Sequence, residues 1–213
     1  MYIGQIIFPW PDLMKFNYDG YPVSRTLWQP VTTLPALLLL AGLQIWALCW
    51  LKKRPLFSFG VLFFFAGHLI TSNVMGLELV FEHRNHLPLL GVLLAATDLL
   101  LLLISHLKLN KQASAGIFIV IFAALHGATL SRAHIWGDQI RFGEKMAALA
   151  PNSYRPWVEW SRAYFSLYTE TQDKAYLQQA IDVSEKSFSY VDSYIISNNM
   201  ILYKSLQGTL AED

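Results

Sequence analysis

Between residues 78 and 86 the chain places Glu78, Glu82, His83, Arg84 and His86, with uncharged stretches on either side. A guanidinium is a planar fork of donors that matches phosphate oxygens, and a protonated imidazole can donate beside it. Glu82, His83, Arg84 and His86 can thus hold the phosphate or sugar of a lipid-linked glycan at a membrane surface. A second chemistry uses Glu82, His83 and His86 as three zinc ligands, which the positive charge of Arg84 opposes. A third is purely structural: Glu82 and Arg84 pair locally and anchor a helix start at the interface.

Three further polar groups, His68, Asp98 and His126, fall inside long apolar runs. Each lies about 16–20 Å from the start of its run at 1.5 Å per residue. An ionised Asp at that depth costs ~2.5–3.5 kcal/mol on insertion scales. Asp98 is therefore expected to meet His68 or His126 within hydrogen-bonding range, either as a polar site or as a neutral packing contact. Familiar enzyme signatures are absent: no phosphate loop, no G-x-S-x-G, no H-E-x-x-H and no CxxC. No cofactor or metal is expected, and the catalytic residue is unknown.

The elements that must position these groups are set by an uneven charge distribution. Of 213 residues, 54% are hydrophobic and only 15% are Asp, Glu, Lys or Arg, against about 25% charged in an ordinary soluble domain. Residues 1–130 hold eight basic and five acidic residues; 131–213 hold eight and ten. Neither part is basic enough for nucleic acid. Runs at 33–51, 56–76, 87–104 and 113–130 are 18 to 21 residues long, enough to cross a ~30 Å hydrocarbon core as helix. Cys49 sits within the first run, where a packed small apolar role is expected and no internal disulfide can form. The start of the chain lacks a basic n-region, so the first hydrophobic helices are expected to direct targeting.

Lys52, Lys53, Arg54, Lys108 and Lys111 flank two short loops, whereas the loop at 77–86 carries Arg84 alone. The positive-inside rule then puts 1–32, 77–86 and the tail from 131 on the outer face. Residues 4–16 read as a broken interfacial element and 17–30 as a surface connection, with Trp10, Tyr18, Tyr21 and Trp28 at headgroup level. Arg132, His134 and Arg141 after the last run read as a solvated headgroup contact. The expected architecture is all-α and membrane-integral. An outer interfacial segment (1–32) precedes about four transmembrane helices (33–130), and an outer-face helical domain (131–213) follows.

In the tail, Trp157, Trp160 and Tyr164 recur at helical spacing after the break at Pro151 and a cap at Ser153. Further amphipathic runs cover 176–188, with Leu177, Ala180, Ile181, Ser184 and Phe188 on one side, and 193–207, ending at Gly208. Trp157, Trp160-Ser161, Tyr164 and Ala180 resemble one degenerate tetratricopeptide (TPR) repeat, with 144–150 closing a preceding repeat and an insertion around 169–174. That resemblance implies a protein-binding face bearing Trp157, Tyr164 and Tyr168.

The stretch Phe81-Glu82-His83-Arg84-Asn85-His86-Leu87-Pro88-Leu89-Leu90-Gly91 looks like the acidic-Arg-Leu-Pro-Gly signature of membrane proteins related to GT-C glycosyltransferases that carry TPR repeats. The likeness covers roughly 20–190 and corresponds to the C-terminal half of such proteins. It implies a component of protein glycosylation that binds a polyprenyl-phosphate-linked sugar and a protein acceptor, in a bacterial inner membrane with a periplasmic tail. The superfamily's catalytic acid lies in a first outer loop, after an early membrane helix. Asp12 and Asp19 precede the first membrane run here, so neither matches, and no catalytic base is carried over. The rival expectation is a non-catalytic membrane-anchored TPR adaptor, or a subunit of a larger membrane complex.

Overall fold

The computed structural model describes residues 2–20, 22–73 and 82–208, for 70–73, 82 and 83 the backbone alone. Among these residues the chain is all-helical, without a strand. It comprises α1 (Tyr2–Ile7), α2 (Thr33–Trp50), α3 (Pro55–Asn73), α4 (His86–His106), α5 (Lys111–Trp136), α6 (Gln139–Leu149), α7 (Tyr154–Thr171), α8 (Lys174–Ser187) and α9 (Tyr194–Gln207). Three of them, α2, α4 and α5, are long and apolar enough to cross a membrane. Among the residues whose side chains are described, the apolar part of α3 covers Pro55–Leu69. Each of the four runs read from the sequence holds a helix, that of 56–76 being described as far as Asn73, and three of these helices meet both the length and the hydropathy of a span.

Two compact units emerge: Met1–Pro9 with Tyr21–Leu125, and Trp10–Gly20 with His126–Asp213. The sequence division at 32 and 130 differs because Trp10–Gly20 folds onto the polar helices rather than belonging to one continuous interfacial segment.

In the first unit α3 and α4 pack most intimately. A Cβ on Gly60 would run into the carbonyl oxygen of Gly91 and stand 2.8 Å from the Ala95 nitrogen. One on Gly91 would stand 2.9 Å from the Phe64 nitrogen, and one on Gly67 2.9 Å from Pro88 Cγ. Absent side chains let the two backbones touch, which is how helices gain contact where lipid offers no hydrophobic drive. Against the other side of α3 lies α2, with Ala47 buried and Trp46, Trp50 and Phe57 in mutual ring contact at 4.7–5.8 Å. Cys49 is exposed on α2 rather than packed. α5 has no buried residue, as suits a helix surrounded by acyl chains.

In the second unit, α6, α7, α8 and α9 pack each on the next. The pairs Gly143–Trp160, Trp160–Lys186 and Gln178–Gln207 make successive helices antiparallel. Asp138 caps α6 through the Arg141 nitrogen (2.7 Å), and Asp173 caps α8 through the Ala175 nitrogen (2.9 Å). Gly208, at φ 80°, closes α9. Two apolar clusters form the core, one around Trp157, Val158, Trp160, Val183 and Ile196, the other around Leu177, Ala180, Ile181 and Tyr203. Phe188, expected on the buried side of α8, is exposed where that helix ends.

Candidate functional site

The turn Glu82–Asn85 is a 3-10 helix leading straight into α4. Pro88 falls in the first turn of α4, where a missing N–H costs nothing. This geometry leaves Arg84 half-buried, Asn85 buried and His86 exposed. Glu78 lies outside the described residues, as do the side chains of Glu82 and His83.

His68 belongs to this same end of the helices. Its ring stacks on Tyr2 of α1 at 5.0 Å and 12°, and meets the edge of Phe64 at 4.7 Å. Asn85 and Arg84 both lie close enough to act on the ring, and Asn85 Oδ1 is buried without a hydrogen bond. The fold therefore joins Arg84, Asn85 and His68 into one polar group, which the sequence reading had divided between a loop and a mid-bilayer site.

Asp98 goes elsewhere. Its Oδ1 pairs with Arg54 Nη1 at 3.5 Å, while Oδ2 is buried without a hydrogen bond. The expected Asp98–His68 contact does not form, because antiparallel packing puts the two residues at opposite ends of the α3–α4 pair. Residue 98 is ~12 Å from the end of α4 at 1.5 Å per residue, a height that a long Arg54 side chain rising from the α2–α3 connection can reach. His126 is exposed on α5. Arg54 was legible only as a topogenic charge; the pairing register of two antiparallel helices was the signal that could have linked it to Asp98.

The second unit carries an arrangement that sequence spacing did not disclose. Asp12 pairs with Lys145 of α6 at 2.5 Å, and that ammonium holds its carboxyl below the usual carboxylate value of 3.8. Phe16 packs edge-on against Trp136 and Phe142 at 5.6 and 5.5 Å. Asp19 accepts a hydrogen bond from the Ser153 hydroxyl and pairs with Arg155 at 3.6 Å. Beside these contacts opens a groove of about 530 Å³ walled by Phe16, Trp136, Phe142, Tyr154, Arg155 and Arg162, among others. Arg132 and Arg141, expected at lipid headgroups, make contacts within this unit. Arg132 donates to Met14 Sδ at 3.0 Å and lies 5.5 Å over the Trp136 ring, and Arg141 donates to the His134 carbonyl at 2.7 Å.

No protein-family model, curated protein or solved structure matches the chain. The reading of its sites rests on their own geometry.

Of the three residues expected on a binding face, Trp157 is 3% exposed and donates its indole N–H to the Pro151 carbonyl at 2.9 Å. Tyr164 and Tyr168 are partly buried against the Tyr203 cluster. Their helical spacing marked the core-facing side of α7, which is where large rings gain most from burial. The exposed aromatic side chains of this unit include Trp10, Phe16, Trp136, Tyr190 and Tyr194 instead, of which Phe16 and Trp136 border the groove.

Proposed function

We propose that the chain is a membrane-embedded component of protein glycosylation. In this reading helices α6–α9 hold a protein partner, and the polar start of α4 holds the phosphate of a polyprenyl-linked sugar. The observation that carries the partner half is the stack of successive antiparallel helices with an aromatic-and-arginine groove alongside. TPR-like arrays present protein-binding surfaces in this way. A photo-crosslinking residue at Glu159, on the rim of the groove, tests it. A protein adduct in cells is expected; its absence removes the partner half.

The donor half rests on Arg84 beside Asn85 and His68, with His86 exposed at the head of a 21-residue helix. Arg84→Ala should weaken binding of a polyprenyl-phosphate sugar in nanodiscs about tenfold or more, and Arg84→Lys should restore only part of it, because hydrogen bonds to charged groups are worth ~1.5–3 kcal/mol each. Equal binding by Arg84→Ala would favour the adaptor reading. One observation already leans towards an adaptor: Asp12 and Asp19 are tied to Lys145, Ser153 and Arg155 rather than held open for proton transfer.

Parity supports a fourth span. Trp10–Gly20 precedes α2, 138–208 follows α5, and the contacts of Asp12 and Asp19 join the two within one unit. Segments in contact lie on one side of a bilayer, so the chain between them crosses an even number of times. With α2, α4 and α5 spanning, α3 completes the set. The positive-inside rule then makes that common side the outer one, the periplasm of a bacterial inner membrane.

A further inference from the structure

Apart from a single 3-10 turn at Pro11–Leu13, the segment Trp10–Gly20 has no regular structure of its own. Side chains hold it at three points. Asp12 meets a cation on α6, Phe16 enters the angle between Trp136 and Phe142, and Asp19 meets the hydroxyl of Ser153 and the cation of Arg155. Between the second and third points Asn17 is buried. The receiving face is complementary in the same order: ammonium, aromatic pair, hydroxyl with guanidinium.

Ser153 adds an independent mark. It stands at the N-cap of α7 yet makes no capping hydrogen bond, because its hydroxyl is turned to the Asp19 carboxylate. A residue type chosen for capping has been given over to an incoming acid. Next to Phe16 and Asn17 the groove continues past the segment towards Val158 and Arg162.

We propose that the face built from the end of α5, α6 and the start of α7 recognises extended protein segments of the pattern acid-x3-aromatic-x2-acid, and that residues 10–20 occupy it in cis until a partner's segment displaces them. This rests on the partner-binding reading of the second unit and names the partner's chemistry. Tethering explains how so short a segment stays bound. Attachment through the same chain, by way of α2–α5, keeps it near the face and makes its binding intramolecular, so a partner must present the pattern with higher affinity or at high local density.

The test uses the full chain in lipid nanodiscs and a fluorescein-labelled peptide of residues 10–20, followed by anisotropy. The unmodified chain should show no saturable binding at peptide concentrations on the order of ten micromolar, because the segment bound in cis competes intramolecularly. Asp12→Asn/Phe16→Ala/Asp19→Asn should bind the peptide saturably. Adding Lys145→Ala and Arg155→Ala should lower that binding at least tenfold, and a peptide with all three anchor side chains replaced should not bind. Helix content and melting are measured on the same samples. If the triple variant does not fold, Asp12→Asn/Asp19→Asn, which keeps the Phe16 packing, carries the test with the same expectation. A folded variant that fails to bind, or binding unaffected by Lys145→Ala and Arg155→Ala, overturns the inference. The Glu159 crosslink separates the two ideas. Adducts without peptide binding keep a partner but refute this pattern; peptide binding without adducts keeps the surface chemistry and removes the partner.

Discussion

Within the apolar helices Asp98 meets the Arg54 guanidinium at 3.5 Å. Removing one member of such a pair is costlier than removing both, since it strands a charge. Arg54→Ala should therefore destabilise the solubilised protein by roughly 3 kcal/mol, and the double variant Arg54→Ala/Asp98→Asn should recover much of that loss in a thermal melt. Equal melting of the single and double variants would show that the pair is not coupled. Tyr203 makes a second residue-scale prediction. Its side chain is 1% exposed, and burial raises its phenol above the ordinary value of 10.0. The folded state then holds the proton more tightly than the unfolded state, so the stabilisation is complete below pH 10 and is lost as pH rises through the raised value. Helicity of the second unit should decline above that point, and Tyr203→Phe should flatten the decline. Asp12 works in the opposite direction: its lowered carboxyl contributes above 3.8 and loses its contribution as pH falls through the lowered value.

Between α3 and α4 there is no room for a side chain at Gly60 or Gly91, whereas nothing lies within 4 Å of a Cβ on Gly116 of α5. Gly91→Val should cost about 1–3 kcal/mol by overpacking, and Gly116→Ala should be neutral or stabilising by up to ~1 kcal/mol through helix propensity. Melting temperatures that move alike for both would contradict the close approach. The sequence made the helices legible because uncharged runs near twenty residues have no other use, and because Trp157, Trp160, Leu177, Ala180 and Ile181 repeat with helical period. Partnerships were less legible. Hydrophobic spacing tells which face of α7 is buried but not against what, so Trp157 read as a binding residue when it is core. Nor does any periodicity announce that an irregular stretch such as 10–20 will be held by Lys145, Ser153 and Arg155, more than a hundred positions away.

At the scale of the molecule, the proposed fourth span and the basic loops at 52–54 and 108–111 make one prediction. In a Cys49→Ala background, an impermeant maleimide applied to intact cells should label cysteines at His86 and Ser189 but not at Asn110. Labelling of Asn110 alone would invert the topology, and opposite results at His86 and Ser189 would break the parity. The glycine seam also has a consequence for biosynthesis. α3 leaves the ribosome first, so Gly60 and Arg54 are already in place when α4 arrives. α4 has the highest mean hydropathy of the three long apolar helices, and its leucines outweigh the ~2.5–3.5 kcal/mol that an intramembrane Asp costs on insertion. Asp98 can therefore enter unaccompanied and find its cation afterwards. Since Gly91 meets Gly60 in a single alignment, the newly inserted helix has one place to stop, and in that place the carboxylate reaches Arg54: α3 serves as the mould in which α4 is cast.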